Sequence, residues 1–276
     1  STSALHVSDL QLTEEEVEEI VGTLESCDEV KEWEMTRCRS KGAGLQRLLR
    51  NLSSQPLCRL GLGYNAIGVA GARLLAEAAS RSSSWRCSLG CLGLEMNGLG
   101  DAGCKQVVGL VREHLPALSV LELGWNELTP ASASELVVLL EASDKPPVLL
   151  RRLGLAGNGM AFAASKLVLA CLSNPSRELE LDLSMNHVDS QTLRDATTWA
   201  RARADAGTET NVYVTISLEW NTIEDTEVVT DLAAALGKSK LRVGEAGQPM
   251  LQLANNELHD LQASDILNAS ANLIML

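Results

Sequence analysis

Aromatic side chains are scarce in this chain: five Trp, two Tyr and one Phe among 276 residues. That scarcity argues against an aromatic-rich sandwich. The 45% of apolar residues must build the interior mainly from aliphatic side chains. Cations are also few, with 23 Lys and Arg against 36 Asp and Glu. The net charge of −13 makes nucleic acid and anionic membrane surfaces poor partners. No apolar run approaches the ~18 residues of a membrane span, so none is expected. The seven cysteines are an odd set without paired spacing, which argues against a disulfide framework. Cys91, Cys104 and Cys171 read instead as small buried hydrophobes at strand or helix positions. A reducing, intracellular compartment fits such usage, the cytoplasm first and an organelle after transit-peptide removal second. The chain starts at Ser1 without a signal-like apolar segment, and a processed chain or a fragment would each look this way.

Catalytic signatures are missing too. There is no GxxxxGK(S/T) phosphate loop and no serine in a nucleophile elbow. The histidines His6, His114, His187 and His259 are scattered, none with a partner at metal-ligand spacing. Asn51-Leu-Ser53 and Asn268-Ala-Ser270 match glycosylation sequons, which short sequences produce often by chance. Gly98-x-Gly100-x-x-Gly103, with Glu122 about twenty residues on, imitates a dinucleotide fingerprint. Gly68 and Gly71 stand at the same places one unit earlier, so the glycines read as part of a recurring turn. No catalytic residue, cofactor or metal is expected, and the chain reads as a non-enzyme.

What the chain does have is a repeated phrase. Leu118–Leu128 reads LSVLELGWNEL, with leucines at positions 1, 4, 6 and 11 and Asn126 at position 9. Leu121 and Leu123 alternate, so both face one side of a short strand. Asn126 stands where the chain leaves that strand, and its amide can bond backbone groups that the bend leaves unpaired. A helix must then return the chain to the next strand. Thr129-Pro130 supplies its N-cap and first residue, and Leu136, Val137, Leu139 and Leu140 its apolar face.

Aligned on position 9, further copies carry Asn65, Asn97, Asn158, Asn186, Asn221 and Asn256. Two weaker copies precede them, one with Val30, Trp33, Met35 and Cys38 in register, the other with Leu5, Val7 and Leu12, and Leu10 at the asparagine position. The steps are 28, 27, 32, 29, 32, 28, 35 and 35 residues, the period of a stacked repeat protein. Thr13-Glu14-Glu15-Glu16 is a capping box opening a helix to about Ser26, with Glu14–Glu16, Glu18 and Glu19 on its wet side. Further helices are expected near 43–52, 69–80, 101–114, 130–142, 161–172, 190–203, 224–236 and 260–270.

The NxxGxxG turn shared by Asn65–Gly71 and Asn97–Gly103, the long helix in each unit and the phrase LDLSMN at Leu181–Asn186 resemble the ribonuclease-inhibitor-like class of leucine-rich repeats. The resemblance covers about 250 residues and implies an α/β solenoid of horseshoe form. About nine strand–turn–helix repeats are expected in one domain over 1–276, with a parallel sheet on the concave face and helices on the convex face. The first two repeats are degenerate and the last two lengthened. The same class includes immune-receptor sensor domains and GTPase activators, so the resemblance implies a fold rather than an activity.

Function must then lie on the surface. In such a solenoid the residues between the leucines line the concave face. Gly61, Gly93, Gly124 and Gly154 make its middle small, so a partner is expected to approach the backbone there. At position 8, Tyr64, Met96, Trp125, Met185 and Trp220 form a column of large apolar groups. Two readings are open: the column anchors a partner, or its side chains fold over their own turns. Glu34, Glu95, Glu122, Asp182 and Glu219 put negative charge beside it, which suits a protein partner with a basic patch around an apolar anchor. A scaffold or accessory subunit of a larger assembly is the primary expectation. An enzyme regulator, inhibitor or GTPase-activator-like, is the alternative.

Overall fold

The computed structural model describes residues 4–10, 12–27, 29–38, 42–141, 150–173, 178–206, 210–211, 213–238, 241–242, 250–258 and 274–275. The chain falls into two compact units, Ser1–Leu128 with Ser143–Leu150, and Thr129–Ala142 with Arg151–Leu276.

In the first unit, strands β1 (Ala4–Ser8), β2 (Glu32–Thr36), β3 (Arg59–Gly61), β4 (Cys91–Gly93) and β5 (Val120–Glu122) pair in parallel, each with the next. Helices α1 (Glu14–Glu25), α2 (Gly42–Leu52), α3 (Gly68–Arg81), α4 (Ser83–Ser88) and α5 (Gly100–His114) return the chain between them. In the second unit the parallel order is β6 (Arg152–Gly154), β7 (Glu178–Asp182), β9 (Tyr213–Ser217), β11 (Leu251–Gln252) and β12 (Ile274–Met275). Helices α6 (Ala133–Leu140), α7 (Ala164–Leu172), α8 (Ser190–Asp205) and α9 (Thr226–Lys238) connect them, and short 3-10 turns at Pro130–Ser132 and Ala161–Ala163 lead into α6 and α7.

The leucine spacing sets the core. Leu121, Leu123, Leu153 and Leu155 are fully buried, as are Leu60, Leu62, Leu92 and Leu94 in the same register. Thr13 and Glu16 form the expected capping box, and the Thr129 side chain accepts from Ala131 N–H at the start of the 3-10 turn before α6. Helix starts are also set by packing. A Cβ on Gly71 would stand 2.4 Å from Cβ of Ile67, and one on Gly103 2.8 Å from Cβ of Leu99, so no larger residue fits either place. Gly98 and Gly100 have φ of 61° and 55°, left-handed values that glycine adopts without strain. The turn and its packing thus account for the fingerprint-like glycines.

The departures from a strict period have structural causes. The 32-residue step from Asn65 to Asn97 holds the extra helix α4, whose Trp85 is fully buried and donates its indole N–H to Leu52 O at 3.1 Å. Both 35-residue steps hold an added strand, β8 (Thr210–Asn211) and β10 (Leu241–Arg242), and these pair in parallel as a small second sheet. Sequence spacing alone did not reveal that sheet. The expected helix near 260–270 lies outside the described residues.

Candidate interaction surface

The asparagines form a hydrogen-bond ladder along each unit. Asn97 Oδ1 accepts from Asn65 N–H at 3.1 Å and Ile67 N–H at 3.3 Å. Its amide donates to Leu62 O, Leu94 O and Glu95 O at 2.9, 3.0 and 3.2 Å. Asn126 repeats these bonds on Asn97 and Leu99, and Asn221 repeats them on Asn186 and Val188 in the second unit. Asn158 donates to Leu155 O at 2.8 Å. The degenerate second repeat joins the ladder by another route. Cys38 Sγ lies 3.5 Å from Val7 O and 3.3 Å from Thr36 O, the carbonyl positions an asparagine amide would serve. The first repeat has Leu10 there instead, 47% exposed.

The residue just before position 9 takes the same backbone bend in all nine repeats. Asp9, Arg37, Tyr64, Met96, Trp125, Gly157, Met185, Trp220 and Asn255 all have φ between 53° and 68°. The backbone N–H at this place bonds the following repeat, Tyr64 to Glu95 O at 2.8 Å and Met96 to Gly124 O at 2.9 Å. In the second unit Met185 and Trp220 do the same with Glu219 O and Ala254 O. Left-handed backbone costs an ordinary residue roughly 1 kcal/mol and suits Gly, Asn and Asp. Repeats with Asp9, Gly157 or Asn255 follow that preference. Those with Arg37, Tyr64, Met96, Trp125, Met185 or Trp220 do not.

The bend also turns these side chains away from the core. Tyr64, Met96, Trp125, Met185 and Trp220 are exposed by 38–56%, and they make up five of the seven exposed large apolar residues among those described. A large part of each residue therefore stays in water. In the first unit Tyr64, Met96 and Trp125 stand on consecutive turns. The Arg37 guanidinium lies 5.2 Å from the Tyr64 ring centre and 3.3 Å from Asp9 Oδ1. In the second unit Met185 and Trp220 stand on neighbouring turns. Phe162, the chain's one phenylalanine, is 67% exposed, and the preceding Ala161 donates its N–H to Asn186 O at 2.9 Å. Phe162 escaped sequence reasoning because it sits five residues past position 157, in an irregular turn rather than in register.

The open face of the sheet differs from expectation at its glycines. The side chain of Glu34 lies across Gly61, its Cγ 3.2 Å from where a Cβ would stand. Glu95 lies across Gly93 and Gly63, its Oε2 3.1 and 3.4 Å from the corresponding points. The glycines make room for two carboxylates laid along the sheet, so at these places a partner would meet carboxylate rather than bare backbone. Burial raises the Glu95 carboxyl above its ordinary range. A backbone hydrogen bond partly offsets this, and repulsion from Glu122 and Glu34 adds to it. Arg59 stands among these acids, 3.7 Å from Glu34 and 3.2 Å from the sulfur of Cys91. Burial also raises the Cys91 thiol.

The second unit treats its acids differently. Asp182 is engaged, accepting from Ser184 N–H at 3.0 Å and lying 3.9 Å from Arg152, which also pairs with Glu180. Ser184 and Ser217 hydroxyls meet at 2.8 Å. Glu219 is half-buried beside Trp220. His6 lies 3.9 Å from Glu34 and His114 3.8 Å from Glu113, while His259 is outside the described residues. Asn51 is part of α2 and donates to Glu25 at 3.2 Å, while Asn268 is outside the described residues. Among the described residues, no helix is long and apolar enough to cross a membrane.

No protein-family model matches the chain. Among characterised proteins it is similar to the pig (Sus scrofa) ribonuclease inhibitor, 29% identical over 203 residues. The match covers 64% of this chain and 44% of the relative, so the chain spans less than half of the relative's length. Parallel strands, asparagine turns and returning helices, repeated in register within each unit, have the architecture of leucine-rich repeats, and in this the chain resembles the ribonuclease inhibitor.

Proposed function

We propose that this chain is a non-catalytic protein-binding module, a scaffold or accessory subunit whose partner docks on the position-8 side chains of each unit. The observation that carries the reading is the pairing of exposure with left-handed backbone at Tyr64, Met96, Trp125, Met185 and Trp220. Stability favours Gly, Asn or Asp at that bend, and three repeats comply. Large apolar groups there are half in water and stand on disfavoured backbone, so packing does not explain them. Backbone strain of this kind collects where function needs it. Rigid aromatic groups are the common anchors of protein interfaces.

The acids set the partner's charge. Glu95 and Glu122 flank Tyr64, Met96 and Trp125, and Asp182 and Glu219 flank Met185 and Trp220. A basic patch around an apolar anchor complements both arrangements, and the net charge of −13 steers such a partner and repels nucleic acid. Among the described residues no disulfide joins the seven cysteines, which suits a reducing, intracellular compartment. The likeness to an inhibitor favours a second reading, in which the bound partner is an enzyme and docking changes its rate.

The test uses Trp125→Ala with Trp220→Ala. The native partner is first isolated by affinity purification. The double change should weaken that complex by about 2 kcal/mol or more while leaving the melting temperature nearly unchanged. Lost stability with binding spared would overturn the reading. Assaying the isolated partner with and without the chain separates scaffold from regulator.

A further inference from the structure

Of the chain's six methionines, Met35, Met160 and Met250 are fully buried, whereas Met96 and Met185 are 43% and 38% exposed. The side chain of Met275 lies outside the described residues. Both exposed methionines occupy position 8, with φ of 53° and 55°. Their backbones are pinned, Met96 N–H to Gly124 O at 2.9 Å and Met185 N–H to Glu219 O at 3.0 Å. Neither thioether can withdraw into the core without breaking that bend and the asparagine ladder behind it. Met96 stands on the turn between those of Tyr64 and Trp125, and the turn of Met185 neighbours that of Trp220. These thioethers are therefore the rim groups whose polarity a single oxygen atom can reverse.

We propose that Met96 and Met185 are oxidative modification sites, where a peroxide turns the apolar rim polar while the fold stays intact. In the reaction a sulfur lone pair attacks one peroxide oxygen, the O–O bond breaks and the S–O bond forms. Sulfur loses two electrons, and the peroxide, reduced, leaves as water. The product is a sulfoxide, which is polar, chiral and reducible by methionine sulfoxide reductases. In a core such a group disrupts packing. At these two places it enters water, because the bend already holds the side chain outside. The polarity change needs no partner. Its consequence for binding rests on the docking role proposed above.

The full chain is treated with hydrogen peroxide and then with dithiothreitol, which restores the exposed thiols of Cys58 and Cys87 but not a sulfoxide. Peptide mass mapping should show Met96 and Met185 gaining oxygen at least about tenfold faster than Met35, Met160 and Met250. Retention on a hydrophobic-interaction column should shorten, with the thermal midpoint nearly unchanged. Methionine sulfoxide reductases should restore the retention. Met96→Leu with Met185→Leu should keep its retention through the same treatment. Equal oxidation of buried and exposed methionines would overturn the proposal, as would a retention loss that persists in the double variant or a collapse of the melt. If retention shortens but the isolated partner binds as before, the docking role fails and the modification sites stand.

Discussion

Replacing Asn97 with alanine removes one amide from the centre of the ladder, and the structure says which groups suffer. The three carbonyls it serves each keep another donor. Leu62 O keeps the amide of Asn65 at 2.8 Å, Leu94 O keeps that of Asn126 at 2.8 Å, and Glu95 O keeps Tyr64 N–H at 2.8 Å. The two N–H groups that Asn97 accepts fare worse. Asn65 N–H and Ile67 N–H both point at its Oδ1, and Asn65 and Ile67 are themselves buried. An orphaned buried donor costs about 1–3 kcal/mol, so two give a loss of about 2–6 kcal/mol. Equilibrium urea denaturation followed by circular dichroism reads this as a fall in the midpoint. Asn97→Asp supplies the control. It keeps an acceptor for both N–H groups but brings no amide to the three carbonyls, each of which keeps another donor. A loss below about 1 kcal/mol for Asn97→Ala would refute the ladder as the reason for asparagine at this position.

Leu123→Ala, at a fully buried strand position, should cost about 2–5 kcal/mol by leaving a cavity, read by the same denaturation. Cys38→Asn should raise stability by about 0.5–1.5 kcal/mol, because an amide donates to Val7 O and Thr36 O more strongly than a thiol does; a loss would show that the turn is shaped for sulfur. Glu95→Gln should raise the melting temperature at about pH 8 and not at about pH 4. Burial first, then Glu122 and Glu34, raise the Glu95 pKa in the folded chain, so the native protein loses stability as pH climbs from the ordinary glutamate range through the raised value, and a neutral amide is spared that loss. An equal gain at both pH values would place the cause in packing rather than charge.

The repeat could be read from the sequence because the physics behind it is local and periodic. Alternating leucines, an asparagine at a fixed distance and a cap before each helix are requirements met within about eleven residues, and each repeat restates them. Leu121 and Leu153 are buried in register for that reason, and even the weak second copy kept Trp33 and Met35 fully inside. The position-8 residues could likewise be placed in the repeat. Their exposure was not legible, because it goes with a left-handed bend that residue type does not dictate. Only the folded turn showed φ near 55° at Trp125 and Trp220, and with it their exposure. The remaining surprises are contacts between residues far apart in the chain. Glu34 and Glu95 lie over glycines of other strands or other positions. Cys38 reaches back to Val7, and β8 and β10 pair across two separate insertions. A sequence specifies which side chains exist at each register position. Which neighbour each one meets is decided when successive repeats stack, because stacking brings together residues some thirty positions apart.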